Sequence, residues 1–181
     1  MGELRVITGP MFSGKTEALQ RHVRRFQLSG KSCLIINHAS DTRYGDATHC
    51  CTHYQQRMPA IITNSLETVV EQCQAVDVIA LDEGQFYPDL IEFVDHLTND
   101  LDKIVIVVAL DGTYEGKPFG RVSELLSRAE HFEKLSAVCL RCGRDAAFTI
   151  RKKEYRNITD TVSVGASEQY EAVCRACRRN M

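Results

Sequence analysis

The sequence predicts an α/β fold, a parallel sheet with covering helices, followed by a small metal-stapled unit. Three observations predict it. Apolar runs alternate with helical periodicities through the first part of the chain, as in a sheet whose crossovers are helices. The runs Val78 to Leu81 and Ile104 to Leu110 are apolar without a break, the pattern of strands covered on both faces. After Cys139 the alternation stops, and two Cys-x-x-Cys pairs appear instead.

Each element has its own signal. Leu4 to Thr8 reads as the first strand. A helix follows, in which Leu19, Val23 and Phe26 recur at helical spacing, with Gly30 as its C-cap. Ser32 to Ile36 reads as a buried strand. The polar stretch from Asn37 to Arg57 has no clear period and is long for a connection. Pro59 to Thr63 is a short strand, and Ser65 an N-cap for a helix carrying Leu66, Val69, Val70 and Cys73. Asp77 to Leu81 is the next strand. Pro88 then opens a helix with an inner stripe of Leu90, Ile91, Phe93, Val94 and Leu97. Ile104 to Leu110 is the strongest strand. A polar loop from Thr113 to Gly120, a short helix over Val122 to Ser127 and a last strand from Phe132 to Val138 complete the first part. The segment Arg141 to Asn157 is basic and turn-rich, with little to bury. Two domains are expected, residues 1–138 and residues 139–181.

Bulk properties exclude several classes. With 181 residues the chain has room for one good core and a small appendage. A net charge of −2 gives no global electrostatic case for a polyanion partner. No apolar run approaches the roughly 18 residues of a membrane span, and the first strand begins too early for a signal peptide. A cytoplasmic protein is expected, with no membrane and no nucleic acid among its partners.

The most specific motif is Gly9-Pro10-Met11-Phe12-Ser13-Gly14-Lys15-Thr16, which fits G-x-x-x-x-G-K-[ST] between a strand and a helix. In that setting successive backbone N–H groups and a helix N-terminus face a phosphate chain. The architecture expected is therefore P-loop NTPase-like. Lys15 would reach the β- and γ-phosphates, and the Thr16 hydroxyl would hold Mg²⁺. Asp82-Glu83 follows a buried strand. Ligands of open parallel sheets bind outside the carboxyl ends of the strands, so Asp82 can hold Mg²⁺ opposite Thr16. Glu83 can take a proton from an attacking hydroxyl. Both acids also suit a simple turn or helix cap.

Cys139, Cys142, Cys174 and Cys177 suit a tetrahedral Zn²⁺ with sulfur at ~2.3 Å, and four thiolates leave no open coordination site, so a structural metal is expected, with a redox dithiol as the other option. The segment between the pairs exceeds the roughly 15–20 residues of common ribbons and must loop out. Arg43, in Asp41-Thr42-Arg43, reads equally as a stabiliser of phosphoryl charge and as a solvated loop charge. Phe86, Tyr87, Tyr114, Phe119 and Tyr170 are aromatics in positions that suit a flat base or ordinary packing. Cys33 and Cys73 read as core, and no role is evident for Cys50, Cys51, His49 or His53. Two other classes fit parts of the pattern. One is a P-loop ATPase or regulator without a small-molecule acceptor. The other is a zinc-ribbon nucleic-acid binder, supported by Arg151-Lys152-Lys153 alone.

Taken together, the phosphate loop 9–16, Asp41-Thr42-Arg43-Tyr44, Cys51-Thr52-His53, Asp82-Glu83-Gly84-Gln85-Phe86, Ala109-Leu110-Asp111-Gly112-Thr113, Lys117-Pro118-Phe119-Gly120 and the cysteine pairs resemble the thymidine kinase family of animals, poxviruses and bacteria. The resemblance spans nearly the whole chain. It implies ATP- and Mg²⁺-dependent phosphorylation of thymidine, and of deoxyuridine, at the 5′-hydroxyl, in the salvage of DNA precursors. It implies Glu83 as catalytic base, with Lys15 and Arg43 stabilising charge. ATP and metal would be handled by Gly9 to Thr16, Asp41 to Arg43 and Asp82 to Gln85, including Gly84. Phe86, Leu110, Tyr114, Phe119 and Tyr170 would line the nucleoside site. A lasso loop, here Thr161, Val162, Ser163, Val164 and Gly165, would close over the nucleoside. Structural Zn²⁺, a homotetramer and inhibition by the end product dTTP are implied as well. The chain departs from the family in having Tyr114 in place of a common Phe, one glycine rather than two in the lasso stretch, and no histidine after Cys177.

Overall fold

The computed structural model describes residues 1–40, 49–51, 57–155 and 168–180. The elements, in chain order, are β1 (Glu3–Gly9), α1 (Lys15–Leu28), β2 (Cys33–His38), β3 (His49–Cys51), β4 (Arg57–Pro59), β5 (Ile61–Thr63), α2 (Val70–Gln74), β6 (Val78–Leu81), α3 (Leu90–Asp95), β7 (Ile104–Leu110), β8 (His131–Lys134), β9 (Ala137–Val138), β10 (Asp145–Ala146), β11 (Phe148–Arg151), β12 (Tyr170–Val173) and α4 (Arg175–Arg179).

Six strands form one sheet in the order β5-β2-β6-β7-β1-β8. All five pairings are parallel. Parallel pairing brings every carboxyl end to one edge of the sheet. β7 lies at the centre, with β1 on one side and β6 on the other.

The alternation of side chains across each strand builds two cores. Val105, Val107 and Ala109 of β7 join Ile79 and Leu81 of β6 and Leu4 and Val6 of β1 in one cluster, capped by Leu90, Ile91, Val94 and Leu97. Ile106 and Val108, with Val78, Ala80 and Ile7, face the other way onto Ala18, Leu19 and Val23 of α1. This explains why the strands read as unbroken apolar runs: both faces are buried.

Most expected elements form, and the differences have local causes. Gly30 follows the C-cap residue Ser29 and takes the left-handed conformation, φ 83°, that ends α1. The helix expected after Ser65 begins instead as a 3-10 turn, Leu66–Val69, because Val69 sits at φ −117° and breaks the α-helical run. Thr68, Val69 and Val70 are consecutive β-branched residues, which disfavour a continuous helix. Pro88 precedes α3 rather than opening it, and Asp89 is the N-cap. Tyr87, before the proline, is held extended at φ −91°, ψ 115°. The helix over Val122–Ser127 is also 3-10. Within the polar stretch after β2, the antiparallel pair β3–β4 carries no periodic signal.

The last expected strand is two. β8 extends the sheet beside β1, whereas β9 leaves it to pair antiparallel with β10. Ala137 is thereby delivered to a third cluster with Cys139, Ala146, Ile150, Ala172, Val173 and Cys174. The expectation that the basic segment has little to bury is therefore corrected: Ala146, Thr149, Ile150 and Arg151 are all buried.

The packing of β7 on both faces makes it the strand most sensitive to lost volume. Ile106 is fully buried. Ile106→Ala should cost about 2–5 kcal/mol of stability, read from the urea midpoint by circular dichroism.

Candidate active site

The phosphate loop connects β1 to α1 and needs unusual backbone. Gly9 has φ 148° and Gly14 φ 78°. A Cβ on Gly9 would stand 2.6 Å from the Leu135 carbonyl oxygen, so this close approach requires glycine. Phe12 also has a positive φ, 65°. Its ring packs against the C-terminal cluster, which leaves its backbone as its contribution to the loop. The Ser13 hydroxyl and the Lys15 ammonium both donate to the Pro10 carbonyl, at 2.8 and 2.7 Å. The loop is thus curled on its own lysine.

The second part comes from the end of β6. Thr16 Oγ donates to Asp82 Oδ2 at 2.8 Å. Asp82 is 2% exposed. The other carboxylate oxygen of Asp82 accepts from the Glu83 N–H at 2.9 Å. The two positions proposed for Mg²⁺ are therefore already in contact, from elements 66 residues apart in sequence. A buried carboxylate beside a hydroxyl is the donor set a hard cation takes, so Thr16 and Asp82 fit the ion.

Glu83 adopts the left-handed conformation, φ 55°, ψ 37°. Such a backbone is costly for a residue with a side chain and is characteristic of functional positions. Gln85 holds it: Nε2 donates to Glu83 Oε2 at 2.5 Å, while Gln85 Oε1 accepts from the Leu110 N–H at 2.9 Å. Gln85 is buried, so this amide ties the acid to the carboxyl end of β7. A Cβ on Gly84 would come within 2.9 Å of Val107, so glycine lets this turn lie against the central strand.

The aromatics fall into two groups. Phe86 and Phe119 meet edge to face at 5.6 Å. Tyr114 and Tyr170 lie 6.4 Å apart with Arg151 against both. Asp41, Thr42, Arg43 and the lasso stretch Thr161 to Gly165 lie outside the described residues.

Three further residues near the site carry no motif. His38, the last residue of β2, is buried against Phe86 and Tyr87, with ring centres 5.2 and 4.8 Å away. Burial lowers its pKa while Glu83 raises it in part. Its Nδ1 accepts from the Ser40 N–H at 3.1 Å. Its place at the carboxyl end of a parallel strand was the available signal. Thr149 Oγ accepts from the Met11 N–H at 2.9 Å, joining β11 to the phosphate loop. Arg151 belongs to the basic run Arg151-Lys152-Lys153, yet it is 4% exposed. No sequence signal distinguishes it from Lys152 and Lys153.

The four cysteine sulfurs, Cys139, Cys142, Cys174 and Cys177, lie within 4.8 Å of one another. Cys142 Sγ and Cys174 Sγ are 3.6 Å apart. Arg144 beside Cys142 lowers its thiol to about 6. Cys142, Cys174 and Cys139, with burial, push the Cys177 thiol up to about 12. Such a set resists full ionisation until a cation neutralises it, and all-sulfur ligation fits Zn²⁺.

Comparison with known proteins gives the family. The thymidine kinase family model matches residues 2–178. The chain belongs to the thymidine kinase family. Thymidine kinase 1 of Dictyostelium discoideum is 45% identical over 179 residues, covering 97% of this chain and 77% of that protein. Human cytosolic thymidine kinase is 44% identical over 176 residues, 97% of this chain and 73% of its own length. The thymidine kinase of Myxoma virus (strain Uriarra) is 41% identical over 176 residues, covering 97% of this chain and 96% of that one. The family match runs through the phosphate loop, the Asp82-Glu83 turn and the cysteine cluster alike. Among the described residues no helix is long and apolar enough to cross a membrane.

The purified chain should carry one zinc per polypeptide by elemental analysis. Cys142→Ser should lose it, and proteolysis should then open the C-terminal strands before the parallel sheet, because ligation and folding of such a unit are coupled.

Proposed function

We propose that this chain transfers the γ-phosphate of ATP to the 5′-hydroxyl of thymidine, and of deoxyuridine, yielding the monophosphate for DNA synthesis. The observation that carries the reading is the meeting of Thr16, Asp82 and Glu83 at one sheet edge, beside a complete phosphate loop, in a member of the thymidine kinase family.

In this reading the loop Gly9 to Thr16 holds the triphosphate on its backbone N–H groups. Lys15 leaves the Pro10 carbonyl and moves to the β- and γ-phosphates. Thr16 and Asp82 hold Mg²⁺, which when bound neutralises charge on the phosphates. Glu83 accepts the proton of the 5′-hydroxyl as its oxygen attacks phosphorus. Gln85 keeps the Glu83 carboxylate oriented from the end of β7. Arg43, with Asp41 and Thr42, stabilises charge on the transferring group. Little covalent chemistry is asked of the side chains, so positioning and electrostatics supply the rate.

The nucleoside lies among Phe86, Leu110, Tyr114, Phe119 and Tyr170, beneath the lasso Thr161 to Gly165. The unit 1–138 supplies the nucleotide site and the unit 139–181 the zinc site and lasso. A cytoplasmic homotetramer inhibited by dTTP, with neither nucleic acid nor membrane as partner, completes the reading. The burial of Arg151 against Tyr114 and Tyr170 removes it from any exposed basic surface, which weighs against the nucleic-acid alternative.

Two measurements test the proposal. Incubated with ATP, Mg²⁺ and each natural nucleoside in turn, the protein should form monophosphate from thymidine and deoxyuridine alone; ATP turnover independent of any nucleoside would overturn it. Glu83→Gln, which keeps the shape and removes the base, should lower kcat by about 10²–10⁴-fold, measured at saturating thymidine.

A further inference from the structure

The C-terminal unit touches the first part of the chain at a second place, the loop after β7. Two arginines make the contact. Arg151 ends β11 directly across from Tyr170 on β12. Its guanidinium carbon lies 4.2 Å from the centre of the Tyr114 ring and 5.6 Å from that of Tyr170. Its Nη2 donates to the Tyr170 hydroxyl at 3.1 Å. Arg178, immediately after the zinc-site residue Cys177, donates from Nη2 to the Glu115 carbonyl at 2.7 Å. Its guanidinium also lies 4.8 Å from the Phe148 ring.

The loop is shaped to receive both. Thr113 N–H donates to the Lys117 carbonyl at 2.9 Å, and Gly112 bridges to Pro118, so the loop folds back on itself. Gly116 has φ 84°, and a Cβ there would collide with the Arg178 guanidinium. One loop thus carries two aromatics with different anchors. Phe119 rests on Phe86 of the first unit, whereas Tyr114 rests on Arg151 of the second.

The chemistry explains why arginine is used. A buried cation is expensive unless partners surround it. A guanidinium is planar, so it can stack on one ring and donate in its plane to a second group at once, which an ammonium cannot. Arg151 does both.

We propose that Arg151 and Arg178 are positioning residues for nucleoside binding. From the cysteine-bearing unit they fix the loop Thr113 to Gly120, and with it the rings of Tyr114 and Tyr170. The proposal rests on the reading above that these tyrosines line the nucleoside site. The phosphate loop reaches the same unit by a separate contact, Met11 N–H on Thr149 Oγ. The arginines should therefore act on the nucleoside and not on ATP.

The experiment is steady-state kinetics on the full chain, with zinc content and melting temperature recorded for each variant. Arg151→Met and Arg151→Lys should each raise the thymidine KM about tenfold, the scale of one desolvated cation–π contact. Arg178→Ala should raise it roughly threefold, the scale of one exposed hydrogen bond. The ATP KM should stay within about twofold and zinc at one per chain, since the contacts described above run from the arginines to the β7 loop, Tyr170 and Phe148. If Arg151→Met does not fold, Arg178→Ala carries the test, because Arg178 is only half-buried. An unchanged thymidine KM in the folded arginine variants, an equal rise in the ATP KM, or full rescue by Arg151→Lys would overturn the proposal. Tyr114→Ala separates the two readings. If it raises the thymidine KM while the arginine variants do not, only the positioning role falls. If it too changes nothing, the placement of Tyr114 in the nucleoside site falls first.

Discussion

The hydrogen bond from Thr16 to Asp82 is the interaction on which the rest of the site depends. It joins the first turn of α1 to the end of β6, across the central strand β7. A buried carboxylate is tolerable only where donors surround it, and Asp82 has both the Thr16 hydroxyl and the Glu83 N–H. Those same bonds set the backbone of Glu83. Phosphate loop, metal ligands and acid therefore form one connected object rather than three motifs.

That object exists because the sheet is entirely parallel. Each strand must return through a crossover, so the carboxyl ends of β1, β2, β6 and β7 all emerge at one edge. Gly9, His38, Leu81 and Leu110 are the last residues of those strands. Described residues at these ends meet without further design, His38 on Phe86 and Thr16 on Asp82, and Gln85 reinforces the meeting by bonding Glu83 and Leu110 together. Burial of the sheet on both faces keeps this edge rigid while the loops above it carry the chemistry.

The cysteine unit is more than an appendage. Its cluster includes Ala137, at the exit from the sheet, and receives the ring of Phe12 from the phosphate loop. β11 presents Thr149 to Met11 and, two residues on, Arg151 to Tyr114. Alternation along a strand places residues two apart on the same face. One short strand therefore addresses the nucleotide loop and the β7 loop together. A metal that stabilises this unit would act on both at a distance, through packing alone.

The amino-acid order by itself determined the α/β class, the positions of β1, β2, β6 and β7, the phosphate loop and the four-cysteine set. These rest on periodicity and on short motifs, which are local properties of the chain. It also marked Asp82 and Glu83 as candidates, because acids after a buried strand are visible without coordinates. The tertiary structure alone decided which residues touch. The split of the last strand into β8 and β9 depends on neighbours distant in sequence. Gln85 stands in a motif, but its double bond to Glu83 and Leu110 is not visible there; His38, Thr149 and Arg151 carry no motif, and Arg151 stands in a run of three basic residues that look alike in one dimension. Burial separates them: an arginine is tolerated inside only where partners meet its charge, and those partners come from distant parts of the chain, Tyr114 from the loop after β7 and Tyr170 from the start of β12.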